Sequence, residues 1–201
     1  MNGTRLNILP DPSFRDLRPM LCERLGRIGT GIYAEQFGAL LDTLMRETLG
    51  QGFAAAGAHE GTVWLLDEAS EHLVPAYNTG PQADRLVGKF KQPLNAGLIC
   101  MVFASEQPFV ENEVWKNSQQ SKLLDTALEK QTCAMIAVPF HFLGACRGVV
   151  SCVQLKQRGS TEPDPPGFRA EHLASVHRAA LVLARLIEYR LLGWTVGWSC
   201  E

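Results

Sequence analysis

Apolar positions along the chain fall into short runs and helical stripes of different period. Between residues 131 and 157, two apolar runs, Cys133–Phe140 and Val149–Leu155, flank a short segment carrying Gly144 and Gly148. Both runs are too short for a globular helix, and both suit a pleated, buried surface. The pattern predicts a central β-hairpin. Gly144 supplies the positive φ of its turn, and Gly148 lets another element approach the backbone closely. Pro139 stands near the end of its run, where a missing N–H is tolerated.

Upstream, Ser13 to Arg27 reads as a short helix with Ser13 as N-cap, kinked at Pro19 or ended at Arg18, with a break at Gly29 and Gly31. Residues 32–56 carry Tyr33, Phe37, Leu40, Leu41, Leu44 and Met45 at helical spacing, which predicts one amphipathic helix. Thr62–Leu66 and His72–Ala76 read as two strands joined tightly, and Val87–Lys91 as a third. Leu94–Ser105 suits a short helix capped at Asn95, and Pro108–Val110 an edge strand. Residues 111–131 are polar and loop-like, with a short helix over Ser121–Lys130; such a stretch beside a sheet is where sites are often built.

Beyond the hairpin, residues 158–167 (RGSTEPDPPG) form a loop. Phe168–Leu192 is then a long helix on Leu173, Val176, Ala180, Leu183, Ile187 and Leu191. That spacing approaches a heptad seam, but packing on the sheet is the simpler reading. The closing residues hold Trp194 and Trp198, which are expected to cover an apolar surface of this subunit or of a partner, while Gly193 and Gly197 argue against a continued helix. Together the elements predict an α+β fold with an antiparallel sheet, terminal helices on one face and loops and short helices on the other. The chain divides into an arm and short helix (1–31), one domain with its flanking helices (32–192) and a tryptophan-containing tail (193–201).

Composition narrows the picture. A net charge of −2 gives no general footprint for nucleic acid. No apolar run reaches the ~20 residues that span a bilayer, and the N-terminus lacks the apolar core of a signal peptide. The start at Met1 and the closing tail favour a complete small protein. Cys22, Cys100, Cys133, Cys146, Cys152 and Cys200 include no C-x-x-C pair, so reduced thiols in the cytoplasm are expected. Cys133, Cys146, Cys152 and His141 are near in sequence, but their separations match no usual zinc pattern. Strand alternation would also send them to opposite faces, so no metal site is expected.

Four segments resemble the GAF domain, a small-molecule sensory fold. Thr62-Val-Trp-Leu-Leu-Asp67 is similar to the family's first strand, which often ends in an acidic residue. NAGLIC (Asn95–Cys100) with Val102–Ser105 resembles its glycine-then-helix segment, Gly97 taking the first glycine place and Cys100 the second. Glu106–Val114 resembles the strand that follows a proline, with Glu113 for the usual aspartate. Ala134-Met-Ile-Ala-Val-Pro-Phe140, with Gly144 and Gly148-Val-Val, resembles the family's hairpin and is the most specific piece. The resemblance covers roughly residues 35–190.

It implies a pocket over one sheet face, walled by residues of about 95–130, and a homodimer through the terminal helices. The candidate ligand-binding residues are Trp64, Trp115, Lys116, Asp125, Cys133 and Met135. Trp115 and Lys116 could stack on and pair with an anionic or aromatic ligand, or Trp115 could plug the pocket and leave a dimerisation scaffold. The sequence names no cofactor. One related family reduces free methionine-R-sulfoxide, but its catalytic cysteine position falls here on Leu128 and its other cysteine on Ile99. No Cys-His dipeptide marks a bilin site, and no cyclic-nucleotide pattern can be traced. The chain is therefore read as a non-catalytic sensory or regulatory module, with a small-molecule ligand, a second copy of itself and a protein partner, and with no nucleic acid or membrane.

Overall fold

The computed structural model describes residues 12–198. A 3-10 turn, Pro12–Phe14, leads into α1 (Leu17–Thr30), α2 (Ala34–Leu40) and α3 (Thr43–Ala55). Then come β1 (Glu60–Leu66), β2 (His72–Asn78), α4 (Ala83–Leu86), β3 (Gln92–Pro93), α5 (Leu98–Ser105) and β4 (Phe109–Glu111). A 3-10 turn at Val114–Lys116 precedes α6 (Leu123–Leu128), the hairpin strands β5 (Lys130–Phe142) and β6 (Ala145–Gln157), and α7 (Ala170–Thr195).

Several boundaries depart from the sequence expectation for local physical reasons. Pro19 lies in the first turn of α1, where no backbone N–H is needed, so it helps start the helix, which runs on through Gly29. The single helix expected over 32–56 is two. Asp42 caps α3 by accepting from the Met45 N–H at 2.9 Å, and a side chain that offers the backbone this alternative ends one helix and begins the next. The expected strand Val87–Lys91 is a turn following α4: Val87 N–H donates to Ala83 O at 2.9 Å and Phe90 N–H to Leu86 O at 3.0 Å. The third strand is the two-residue β3, paired with His72 and Leu73. α5 begins at Leu98, capped by Gly97 at φ 92, not at Asn95. α7 continues through Gly193 to Thr195. Its stop is Gly197, at φ 73: Trp198 N–H reaches back to Gly193 O at 2.8 Å and Gly197 N–H to Trp194 O at 3.2 Å, a Schellman ending.

The six strands form one antiparallel sheet in the order β3-β2-β1-β6-β5-β4. The hairpin is its centre, closed by a two-residue turn with Leu143 at φ 51 and Gly144 at φ 77. Positive φ at both positions matches the twist of the flanking strands. Leu143 tolerates it because its N–H donates to the Glu188 carboxylate of α7 at 2.8 Å. β4 pairs with β5 only as far as Ala137, so Pro139 sits where that edge of β5 has no partner strand. A Cβ at Gly148 would stand 1.8 Å from the Trp64 carbonyl oxygen, which is the close approach of β1 that the glycine permits.

Strand alternation divides the core in two. Val63, Leu65, Ile136, Val138, Phe140 and Val150 face α2, α3 and α7, where Phe37, Leu49, Leu183 and Ile187 are fully buried. Trp64, Leu73, Met135, Ala137 and Val149 face the other way, against α5 and Val114. The terminal helices thus cover one face, and the short helices and loops cover the other.

Candidate functional site

The second face holds a small cavity of about 40 Å³, walled by the start of α5, the 120–125 segment and the sheet. Three of the residues singled out from the sequence line it: Trp64, Asp125 and Met135. Trp64 is its main filling. The indole is 2% exposed, donates its N–H to Ser151 Oγ at 2.9 Å and meets Phe90 edge-on at 6.1 Å. A buried indole anchored by its one polar atom is a fixed wall. The space left holds one or two waters, whereas pockets for drug-sized ligands run to ~300–1,000 Å³.

Asp125 acts as a tie across the rim of this space. Its carboxylate accepts from Thr132 Oγ1 at 2.6 Å, Thr132 N–H at 3.0 Å and Gln120 Nε2 at 2.9 Å, joining α6 to the start of β5. Cys133 stays outside the cavity. It is the extra residue of a bulge between Thr132 and Ala134, so Thr132 takes the inward position that plain alternation would assign differently. Burial, then the nearby Asp164 carboxylate, raise the Cys133 thiol above its ordinary range.

Trp115 and Lys116 also lie outside it. Trp115 borders a separate cleft of about 140 Å³, together with Asp125, Lys130 and Arg158. Lys116 is exposed, pairs with Glu113 at 2.7 Å and sits 5.9 Å from the Trp115 ring centroid. The residue of this segment that enters the core is Val114, fully buried. It is the only aliphatic side chain in ENEVWKN, which was the available signal. Gln92, which no sequence pattern singles out, is 5% exposed and donates to Ala96 O at 2.9 Å, bracing the turn that leads into α5.

The buried thiols are poor nucleophiles. Burial pushes Cys100 up to about 11 and Cys152 up to about 12. Cys100 donates to Pro93 O at 3.3 Å. Leu128, where the reductase resemblance would require the catalytic cysteine, is a buried residue at the end of α6.

The C-terminal end of α7 is apolar and open. Trp198 is 70% exposed, Tyr189 69% and Trp194 51%; with Phe14, Leu192 and Val196 they line a groove of about 800 Å³ along the end of α7. Among the described residues Trp194 and Trp198 cover no surface of their own subunit and form part of an open apolar one, so of the two expected surfaces the partner's is left. Among the described residues, no helix is long and apolar enough to cross a membrane.

A six-stranded antiparallel sheet with long helices on one face and a short-helix wall over the other is the GAF-domain fold, and solved structures agree. The GAF domain of a phosphoenolpyruvate-protein phosphotransferase from Coxiella burnetii superposes with a TM-score of 0.60 at 16% identity, covering 93% of this chain and 99% of that one. The GAF-B domain of DevS from Mycobacterium smegmatis gives 0.55 at 19% identity over 77% of this chain and 97% of that one. A free methionine-R-sulfoxide reductase from Neisseria meningitidis, solved with its substrate, gives 0.51 at 16% identity over 98% and 99%. The sequence itself matches no family model and no curated protein. At these identities the likeness is one of fold.

Proposed function

We propose that this protein is a non-catalytic regulatory module of the GAF fold. It works as a homodimer through its terminal helices and passes its state to a separate protein partner. The observation that carries this reading is the aromatic groove at the end of α7, set beside a sheet cavity of only about 40 Å³. Monomers rarely expose contiguous apolar patches of this kind without a partner. The charges at the groove are already paired within the chain: Arg190 contacts Asp42 at 2.8 Å and stacks 5.1 Å from the Trp194 ring centroid. A second copy, packing α7 against α7, buries the same side chains on both partners and asks for no complementary charge. The described cysteines are free thiols, which fits the cytoplasm.

Light scattering on the eluting full chain tests the dimer. The expected mass is about twice the 22.1 kDa of one chain. Trp194→Ser with Trp198→Ser should give a folded monomer by circular dichroism. A wild-type monomer at tens of micromolar overturns the reading.

Small-molecule sensing is a second reading, favoured by the polar groups of Gln92, Gln120, Asp125 and Thr132 around the cavity. A ligand of more than a few atoms must displace Trp64 or the 118–125 wall. Thermal shifts against nucleotides and small metabolites test it: a ligand that binds only the native state raises the melting temperature, and a blank screen leaves the scaffold reading.

A further inference from the structure

Near the tip of the hairpin, at the C-terminal end of α5, whose start walls the cavity, three side chains with metal-binding atoms converge. They are Glu106, His141 and Cys146, whose donor atoms all lie within 4.8 Å of one another. Plain alternation would keep His141 and Cys146 on opposite faces. A bulge on β6 prevents this: Phe140 pairs with Gly148, but His141 pairs with Cys146, leaving Arg147 as the extra residue. His141 and Cys146 thereby become a direct cross-strand pair on one face. Glu106 arrives from the C-cap of α5, and its carboxylate meets the His141 ring at 2.8 Å.

From this convergence we propose a zinc site, held by the Glu106 carboxylate, one ring nitrogen of His141 and the Cys146 sulfur, with water in the fourth position. The donor set is the argument for zinc. Thiolate and imidazole select a borderline-soft ion over Mg²⁺ or Ca²⁺, which prefer all-oxygen ligands. The geometry is close to what the ion needs. Tetrahedral ligands at Zn–N and Zn–O distances of ~2.0–2.2 Å and Zn–S of ~2.3 Å stand roughly 3.3–3.8 Å apart. The donors here already lie within 4.8 Å of one another, and all three residues are at least partly exposed, so an ion can enter.

Binding is balanced in charge. The Cys146 thiol gives up its proton to water, and a dication, one thiolate and one carboxylate sum to zero with a neutral imidazole. The bound ion would link the C-terminus of α5 to a hairpin tip that Glu188 already fastens to α7.

The site has its own test, read from metal binding and not from oligomeric state. Untagged full-length protein carrying Cys22→Ser and Cys200→Ser is titrated with Co²⁺ and with Zn²⁺. The expected result is one ion per chain, a thiolate-to-cobalt charge-transfer band displaced by Zn²⁺, and a higher melting temperature with Zn²⁺ but not with Mg²⁺ or Ca²⁺. Cys146→Ser should abolish the band. His141→Gln and Glu106→Gln should each weaken Zn²⁺ binding by about 10–100-fold or more, the loss that even outer partners of metal ligands cause. No charge-transfer band, or a band that survives Cys146→Ser, overturns the site. Binding unchanged in both His141→Gln and Glu106→Gln overturns it equally.

Discussion

Replacing Trp64 with alanine tests whether the space over the sheet is a filled core or a vacant binding site. The indole is 2% exposed and packs among Leu73, Met135 and Val149. Truncating a fully packed tryptophan costs about 3–5 kcal/mol, because the surroundings collapse only in part. Ser151 Oγ also loses the N–H that now bonds to it, for about 1 kcal/mol more. Against a total stability of ~5–15 kcal/mol the variant should still fold. Urea unfolding at fixed protomer concentration measures the loss. Indole, which fits the vacated volume, should then restore about 1.4 kcal/mol at ten times its dissociation constant, with no effect on the wild type. A loss below about 1 kcal/mol would refute the reasoning, since so small a cost means the ring fills nothing. Equal stabilisation of wild type and variant by indole would refute it as well.

Asp42→Ala should cost about 1–2 kcal/mol through loss of the α3 cap and of the Arg190 ion pair, while Asp42→Asn, which can still accept from Met45 N–H and loses only the charge facing Arg190, should cost about 0–1 kcal/mol; urea unfolding separates them. Asp67 is held below the usual carboxylate range although burial opposes this, because the N–H groups of Glu71 and His72 and the His72 ring together outweigh burial. Its contribution is therefore complete above the unfolded pKa of about 3.9 and is lost as pH falls through the lower folded value, so Asp67→Asn should flatten the acid limb of the stability curve. In a Cys200→Ser background, a thiol reagent at pH 8 should modify exposed Cys22 quickly and Cys100 and Cys152 only on unfolding, as their pKa values of about 11 and 12 require; rapid native reaction of Cys100 contradicts its burial.

The sheet was legible in the sequence where burial on both faces wrote it plainly. Thr62–Leu66, His72–Ala76 and the two hairpin runs all fall inside observed strands, and Gly148 has the neighbour its place suggested. Errors gathered where one side chain or one extra residue overrides periodicity. Asp42 splits a convincing helical stripe by capping. Gly193 passes unnoticed inside α7 because Gly197 satisfies the end of the helix. The site was harder to read. Trp64, Asp125 and Met135 line one small cavity, Asp125 from α6, but the bulge at Cys133 turns that thiol away, and the bulge at Arg147 joins His141 to Cys146. A bulge shifts register by one residue, and nothing in alternation announces where it falls.

The position of β6 has a consequence for how the molecule assembles. It lies between β1 and β5, so Glu60 finds its partner in Val153 and Leu65 in Gly148. β5 and β6 can close locally across their two-residue turn, in microseconds if hairpins are a guide. β1 must wait for a loop spanning much of the chain to close, and ordering that loop precedes any reward from the contacts it brings. As the chain leaves the ribosome, β1 and β2 therefore emerge with one edge unsatisfied until the second half has been made. During that interval Val63, Trp64 and Leu65 form the segment most exposed to mispairing, and a chaperone that shields it would act before α7 exists to cover the sheet.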